Sequence, residues 1–388
     1  MKKFFLPLFL ISFAFAQTIS ESMESFKDEY LQAIDEHKKD AKEIVNSNLK
    51  YYQDIAKAAQ AYYQKFLTQK WGEGNVKLST NKVFTQYSKD FSSRESFDFE
   101  NGSVVVEILS DSDKDIAPEE FSEKLEEAKG ESIEEASKKD PVANITTKYM
   151  KEKNLIDTTK NSNKFLEDIL PEKKIKKEDI KTKEITLKDG KKRKLSFVEV
   201  PMVPDHLKKL ADKFDDSVQK EAKRFGVDPS HIFATIHTES YFNPMARSYV
   251  PAYGLMQIVP TTGGVDAYRA LKGEKKILSP EYLYNPENNI ELGAQYIELI
   301  QNRYLKGVES KEKLFFCASI AYNAGIGNLY KALTGSKGKK SEAIKQINSL
   351  DTTQLYDLLR SSKRLTHEAR SYIKKMSERK KLYLVYDG

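Results

Sequence analysis

The run Asp228-Pro229-Ser230-His231-Ile232-Phe233-Ala234-Thr235-Ile236-His237-Thr238-Glu239-Ser240 decides how this chain is to be read. Asp before Pro marks a helix start, because the acid suits the N-cap and proline suits the first helical position, where no amide donor is needed. Ile232, Phe233 and Ile236 define one apolar face. Glu239 lies seven residues after Ile232 and three after Ile236, so it falls on that same face. A carboxylate there is costly unless paired or protonated, and no Lys or Arg neighbours it at helical spacing. Desolvation raises the pKa of such a group, as a general acid working near neutral pH requires. Periodicity alone leaves a second reading open, a helix-terminal Glu with its carboxylate in water.

Toward the C-terminus the pattern stays helical, over residues 205–225 (closed by Gly226), 287–304, 312–322 and 366–375. Toward the N-terminus it changes. Residues 20–70 hold no Gly or Pro and read as one or two long amphipathic helices ended by Trp71-Gly72. Strand-like runs at 94–99 and 103–109 flank Asn101-Gly102, and runs at 184–188 and 194–200 flank Asp189-Gly190. Both dipeptides are strong hairpin signals. Pro201-Met202-Val203-Pro204 reads as a rigid connector. The expected fold is α+β overall: an N-terminal α+β domain with a small antiparallel sheet at 17–200, and an all-α domain at 201–388.

The length of 388 residues fits about two domains. The excess of Lys plus Arg over Asp plus Glu, 64 against 58, is mild and gives no case for a nucleic-acid partner. The single cysteine, Cys317, excludes an internal disulfide and a cysteine metal cage, and reads as a buried, inert thiol. His231 and His237 are six apart and no HExxH is present, so no metal is expected. Neither a GxSxG elbow, a complete dinucleotide fingerprint nor a complete P-loop occurs, and no cofactor is expected. Met1-Lys2-Lys3, an apolar run at 4–15 and Ala14-Phe15-Ala16 read as a signal peptide cut after Ala16. No cysteine stands near that point, so no lipid anchor is expected.

Charge is segregated between the two hairpins. Residues 110–140 hold 12 acids and 5 lysines, and residues 171–196 hold 11 basic residues and 5 acids. The plain reading is a solvated, partly helical insertion. A sharper one is a basic hairpin that touches an anionic polymer or membrane surface.

After Glu239-Ser240 come Asn243-Pro244, Ser248, Gly254-Leu255-Met256-Gln257, Pro260, and much later Ala321-Tyr322-Asn323-Ala324-Gly325. This ordered set resembles the lytic transglycosylases of the soluble-lytic-transglycosylase type, which share a goose-type lysozyme fold. Upstream, Trp71-Gly72, Asn75-Val76, Tyr87-Ser88, Arg94, Asp98-Phe99, Asn101-Gly102 and Val106-Glu107 are similar to the N-terminal domain of the membrane-bound lytic murein transglycosylase C family.

The resemblance implies a lysozyme-like catalytic domain acting on peptidoglycan glycan strands in the periplasm. The reaction would cleave the β-1,4 bond between N-acetylmuramic acid and N-acetylglucosamine and leave a 1,6-anhydromuramoyl end, without water. Glu239 matches the acid that protonates the glycosidic oxygen and then takes the proton of the attacking C6 hydroxyl. Ser248 matches a serine that bonds the sugar or orients the acid. Gly254, Met256 and Gln257 match subsite residues: a close backbone approach, an apolar contact and an amide for an N-acetyl group. Tyr322, Asn323 and Tyr372 match residues near the acid. No second acid stands among these motifs, whereas a retaining glycosidase needs a nucleophilic carboxylate about 5 Å away. Two alternatives remain open: a lysozyme-like muramidase that uses water, and a non-catalytic cell-wall binding or scaffold protein. The N-terminal half is expected to position the enzyme on its glycan or a partner, with no part in the chemistry.

Overall fold

The structure is a computed structural model. It describes residues 41–388 apart from residues 112, 153–161, 188 and 250. The signal-peptide reading at 1–16 and the first part of the long helical stretch lie outside the described residues.

Helix α1 (Ala41–Trp71) leads into strands β1 (Val83–Tyr87), β2 (Ser93–Asp98) and β3 (Ser103–Asp111). Three helices follow, α2 (Pro118–Gly130), α3 (Ile133–Lys139) and α4 (Pro141–Glu152), then β4 (Lys181–Thr186) and β5 (Lys192–Pro201). The five strands form one antiparallel sheet in the order β1-β2-β3-β5-β4. Both expected hairpins are present. At the first, Asp98 Oδ1 accepts the Asn101 N–H at 2.9 Å and Gly102 takes φ 63. The insertion is helical, and α2 buries Phe121, Leu125 and Ala128. Its acids meet the basic hairpin directly: Asp115 pairs with Lys194 and Asp111 with Arg193.

The other sheet face carries a buried ion pair. Arg94 donates from Nε to Glu107 Oε2 at 2.7 Å and from Nη2 to Oε1 at 3.0 Å, with its guanidinium 4.0 Å from the Trp71 ring centre. The bidentate geometry satisfies both charges, which makes such burial tolerable.

Beyond Pro201 the chain is helical: α5 (His206–Phe225), α6 (Pro229–Ser240), α7 (Gly263–Lys272), α8 (Pro280–Tyr284), α9 (Pro286–Glu298), α10 (Lys311–Ala324), α11 (Ile326–Thr334), α12 (Lys340–Ser349), α13 (Thr352–Ser361) and α14 (His367–Leu382). The helical stretch expected to 304 ends as α-helix at Glu298 and continues as a π-helical turn, Leu299–Tyr304. Gly226 closes α5 in the left-handed conformation at φ 66. Helix α6 differs from the amphipathic pattern. Every residue from 230 to 237 is buried, because α6 runs through the centre of the helical half. Asp228 stands at its N-cap position without a side-chain cap bond, because Lys380 takes its carboxylate at 2.8 Å. Asp387 caps instead, accepting from Ser230 N–H and Oγ, each at 2.7 Å.

One buried apolar cluster runs across residue 201. It joins Phe84, Phe97 and Val200 of the sheet and Tyr52 of α1 to Phe214, Ile232 and Tyr253 of the helical half. The two halves therefore share a core.

Candidate active site

Glu239 lies in the last turn of α6. Burial raises its pKa to about 7; a hydrogen bond from Tyr372 lowers it, the Glu368 charge raises it and Lys375 lowers it. The carboxyl is thus poised to be half protonated near neutrality, which suits a group that first gives and then takes a proton. The bond from Tyr372 is direct, Oη to Glu239 Oε1 at 2.8 Å. Tyr372 is itself buried on α14, and burial raises its hydroxyl well above the usual phenol range. It therefore acts as a permanent donor.

Tyr322 comes from α10 and also senses the Glu239 charge, after a larger effect of burial. Its hydroxyl donates to the Met256 carbonyl at 2.7 Å. This bond ties the tyrosine to the loop at 253–257. Asn323, one residue on, donates to Glu368 Oε1 at 3.3 Å. Glu368 is a second carboxylate near the acid that the sequence motifs did not single out. It is exposed in the first turn of α14.

The loop after α6 is built from inside. Asn289 of α9 is buried; it accepts from Met256 N–H at 2.8 Å and donates to the Tyr253 carbonyl at 2.8 Å and the Leu283 carbonyl at 2.7 Å. Ser240 Oγ donates to the Leu255 carbonyl at 2.7 Å, joining the end of α6 to the same loop. Gly254 has φ 76, and a Cβ there would stand 2.2 Å from the Leu283 carbonyl oxygen. Its missing side chain thus serves packing against α8 and α9. Met256 is fully buried, and a Cβ at Gly293 would meet its sulfur at 2.1 Å. Gln257 takes φ 47, and its Nε2 donates to the carbonyls of Ala246 at 3.2 Å and Gly254 at 3.0 Å. Ser248 Oγ accepts the Ala252 N–H at 3.1 Å. The structure brings Tyr372 and Tyr322 to Glu239, and Gly254, Met256 and Gln257 belong to the loop that Tyr322 and Asn289 tie down.

The residues missed by sequence reasoning are Asn289, Glu368, Lys375 and Asn81. Asn81 precedes β1, and its Nδ2 donates to the Glu239 carbonyl at 3.0 Å. For Asn289 a signal existed, an amide within an apolar helix. For Asn81 there was none, since 158 positions separate it from its partner.

Comparison with known proteins shows the family of the chain. Residues 216–345 match the family model described as the transglycosylase SLT domain. Residues 38–129 match the N-terminal domain of membrane-bound lytic murein transglycosylase C. A membrane-bound lytic murein transglycosylase C from Histophilus somni is 30% identical over 328 residues, covering 82% of this chain and 85% of the relative. One from Haemophilus influenzae is 38% identical over 191 residues, covering 49% of this chain and 52% of the relative. The solved lytic transglycosylase Slt of Pseudomonas aeruginosa is 28% identical, over 43% of this chain and 23% of that one, with a TM-score of 0.31. With both halves matched and the Histophilus somni relative aligned over most of its length, the chain belongs to the membrane-bound lytic murein transglycosylase C family.

Proposed function

We propose that this protein cleaves peptidoglycan as a lytic transglycosylase, with Glu239 as the single acid–base group. Family membership supports the activity. The observation that carries the assignment of the acid is a carboxyl raised to about 7 and held by the Tyr372 hydroxyl at 2.8 Å. Protonated, Glu239 gives its proton to the glycosidic oxygen as the C1–O bond breaks. As carboxylate it takes the proton of the C6 hydroxyl, which closes onto C1 and leaves the 1,6-anhydro ring. The Tyr372 hydroxyl supports the carboxylate between these steps. Tyr322, Met256 and Gln257 shape the subsite wall, Gly254 lets that wall pack, and Ser248 and Asn323 line its edges.

Glu368 lies close enough to raise the Glu239 pKa, but it is exposed and engaged by Asn323. A nucleophile in a retaining hydrolase would need a position about 5 Å across the scissile bond. The transglycosylase reading assigns Glu368 an electrostatic part instead. Mass spectrometry of digested sacculi tests the reaction: 1,6-anhydro ends support it, and reducing ends would make the protein a hydrolase.

The cell envelope is the site of action. We further read the chain as exported to the periplasm. The pattern at 1–16 supports this. Recovery in the cytoplasmic fraction would refute it. Among the described residues, no helix is long and apolar enough to cross a membrane.

A further inference from the structure

We propose that the N-terminal sheet is a working part of the active site: Asn81, Lys82 and Glu100 are positioning residues that hold the end of α6 and so aim Glu239. This rests on Glu239 being the acid. Helix α6 ends in an unusual way. Tyr241 and Phe242 both take left-handed backbone angles, φ 54 and 63, without being glycine. Such a pair persists only where its surroundings impose it.

Those surroundings come from two directions. From α14, Arg379 donates to the His237 carbonyl at 2.8 Å and to the Tyr241 hydroxyl at 2.6 Å. From the N-terminal half, Asn81 Nδ2 takes the Glu239 carbonyl at 3.0 Å. That carbonyl is one of the last of the helix, which have no partner within it. Lys82 Nζ stands 5.1 Å from the Tyr241 ring centre and bonds both Glu100 oxygens at 2.6 Å. Glu100 in turn is hydrogen-bonded to the Tyr241 hydroxyl. The clamp is itself braced: Thr80 Oγ1 accepts from Lys82 N–H at 3.2 Å and Val83 N–H at 3.0 Å. The Thr80 carbonyl accepts the Arg247 N–H at 3.1 Å, one residue before Ser248. One short turn ahead of β1 therefore fixes both the acid's peptide and the start of the loop beyond it.

A general acid misplaced by about 1 Å loses as much as ~100-fold in rate. Release of the Glu239 carbonyl should therefore lower turnover more than it lowers affinity. A fragment beginning near Pro201 would lack this clamp. On this proposal the N-terminal half also positions the acid, in addition to the role on glycan or partner expected from the sequence.

The test compares full-length Asn81→Ala, Asn81→Asp, Lys82→Met and Glu100→Gln on solubilised glycan strands, measuring kcat, KM and Tm, with Glu239→Gln in parallel. Asn81→Ala should lose about tenfold in kcat with KM within about twofold. Asn81→Asp should lose more, because its carboxylate repels the carbonyl that the amide held, although its shape is the same. Lys82→Met and Glu100→Gln should lose less, in kcat again. Both residues are only half-buried, and their variants carry the test if Asn81 variants fail to fold. Wild-type kcat in the folded variants, or losses that merely follow Tm, would overturn the clamp. Inactive Glu239→Gln beside fully active clamp variants removes the clamp alone; active Glu239→Gln removes the acid assignment on which it rests.

Discussion

The Tyr372 hydroxyl donates to Glu239 Oε1 at 2.8 Å, from a helix 133 positions further along the chain. A donor to a carboxylate favours the charged form and fixes one oxygen in place. Tyr372→Phe keeps the ring packed and removes only that bond. We expect kcat/KM to fall by about 10- to 150-fold, since one bond to a charged group is worth about 1.5–3 kcal/mol. The basic limb of the pH profile should move to higher pH, because a lowering influence on Glu239 is lost. A profile that stays in place would mean the bond does not act in catalysis.

The neighbouring charges give a pair of opposite shifts. Glu239 must be protonated to start the reaction, so activity should decline as pH rises through about 7. Glu368 raises the Glu239 pKa and Lys375 lowers it. Glu368→Gln should therefore move the limb to lower pH, and Lys375→Met to higher pH. Shifts of the same sign in a kcat/KM profile would contradict this electrostatic account.

Stability follows from the same raised pKa. An ordinary glutamate titrates near 4.5, and Glu239 near 7. Folding therefore favours the protonated form. The cost of ionising it in place is absent below about pH 4.5, grows between there and about 7, and is complete above. Glu239→Gln removes that cost, so its Tm advantage over wild type should grow across this window. The gain is at most about 3 kcal/mol, less because the side chain is partly exposed. Equal Tm differences at pH 4 and pH 8 would show that the carboxyl is not desolvated.

Gly254 gives a purely steric prediction. At φ 76, and with a Cβ 2.2 Å from the Leu283 carbonyl, Gly254→Ala must move backbone. We expect a loss of at least about 2 kcal/mol, several degrees in Tm. Gly338→Ala has open space around it and should change little. Equal Tm values for the two variants would refute the packing role.

What could be read from the sequence divides by range. The two hairpins were legible because Asn101-Gly102 and Asp189-Gly190 each set their turn locally. Strand β1 was not, since Thr85 and Gln86 are both buried and break the alternation. The apolar face of α6 led to Glu239, although the helix is buried on every side. The sequence resemblance implied a ligand-binding amide at Gln257 but not that its Nε2 also holds the turn, where φ is a left-handed 47. Asn289 left a trace, an amide within an apolar helix, but Asn81 acts on a carbonyl 158 positions away and no local pattern announces it.

The acid–base role of Glu239 is tested most directly by the rate at which Glu239→Gln releases anhydro-muropeptides from sacculi. Glutamine keeps the shape but neither gives nor takes the proton. One group serving both steps should cost at or beyond the upper end of the usual ~10²- to 10⁴-fold for general acid–base catalysis. A folded Glu239→Gln protein that retains more than about a tenth of wild-type activity would contradict the assignment.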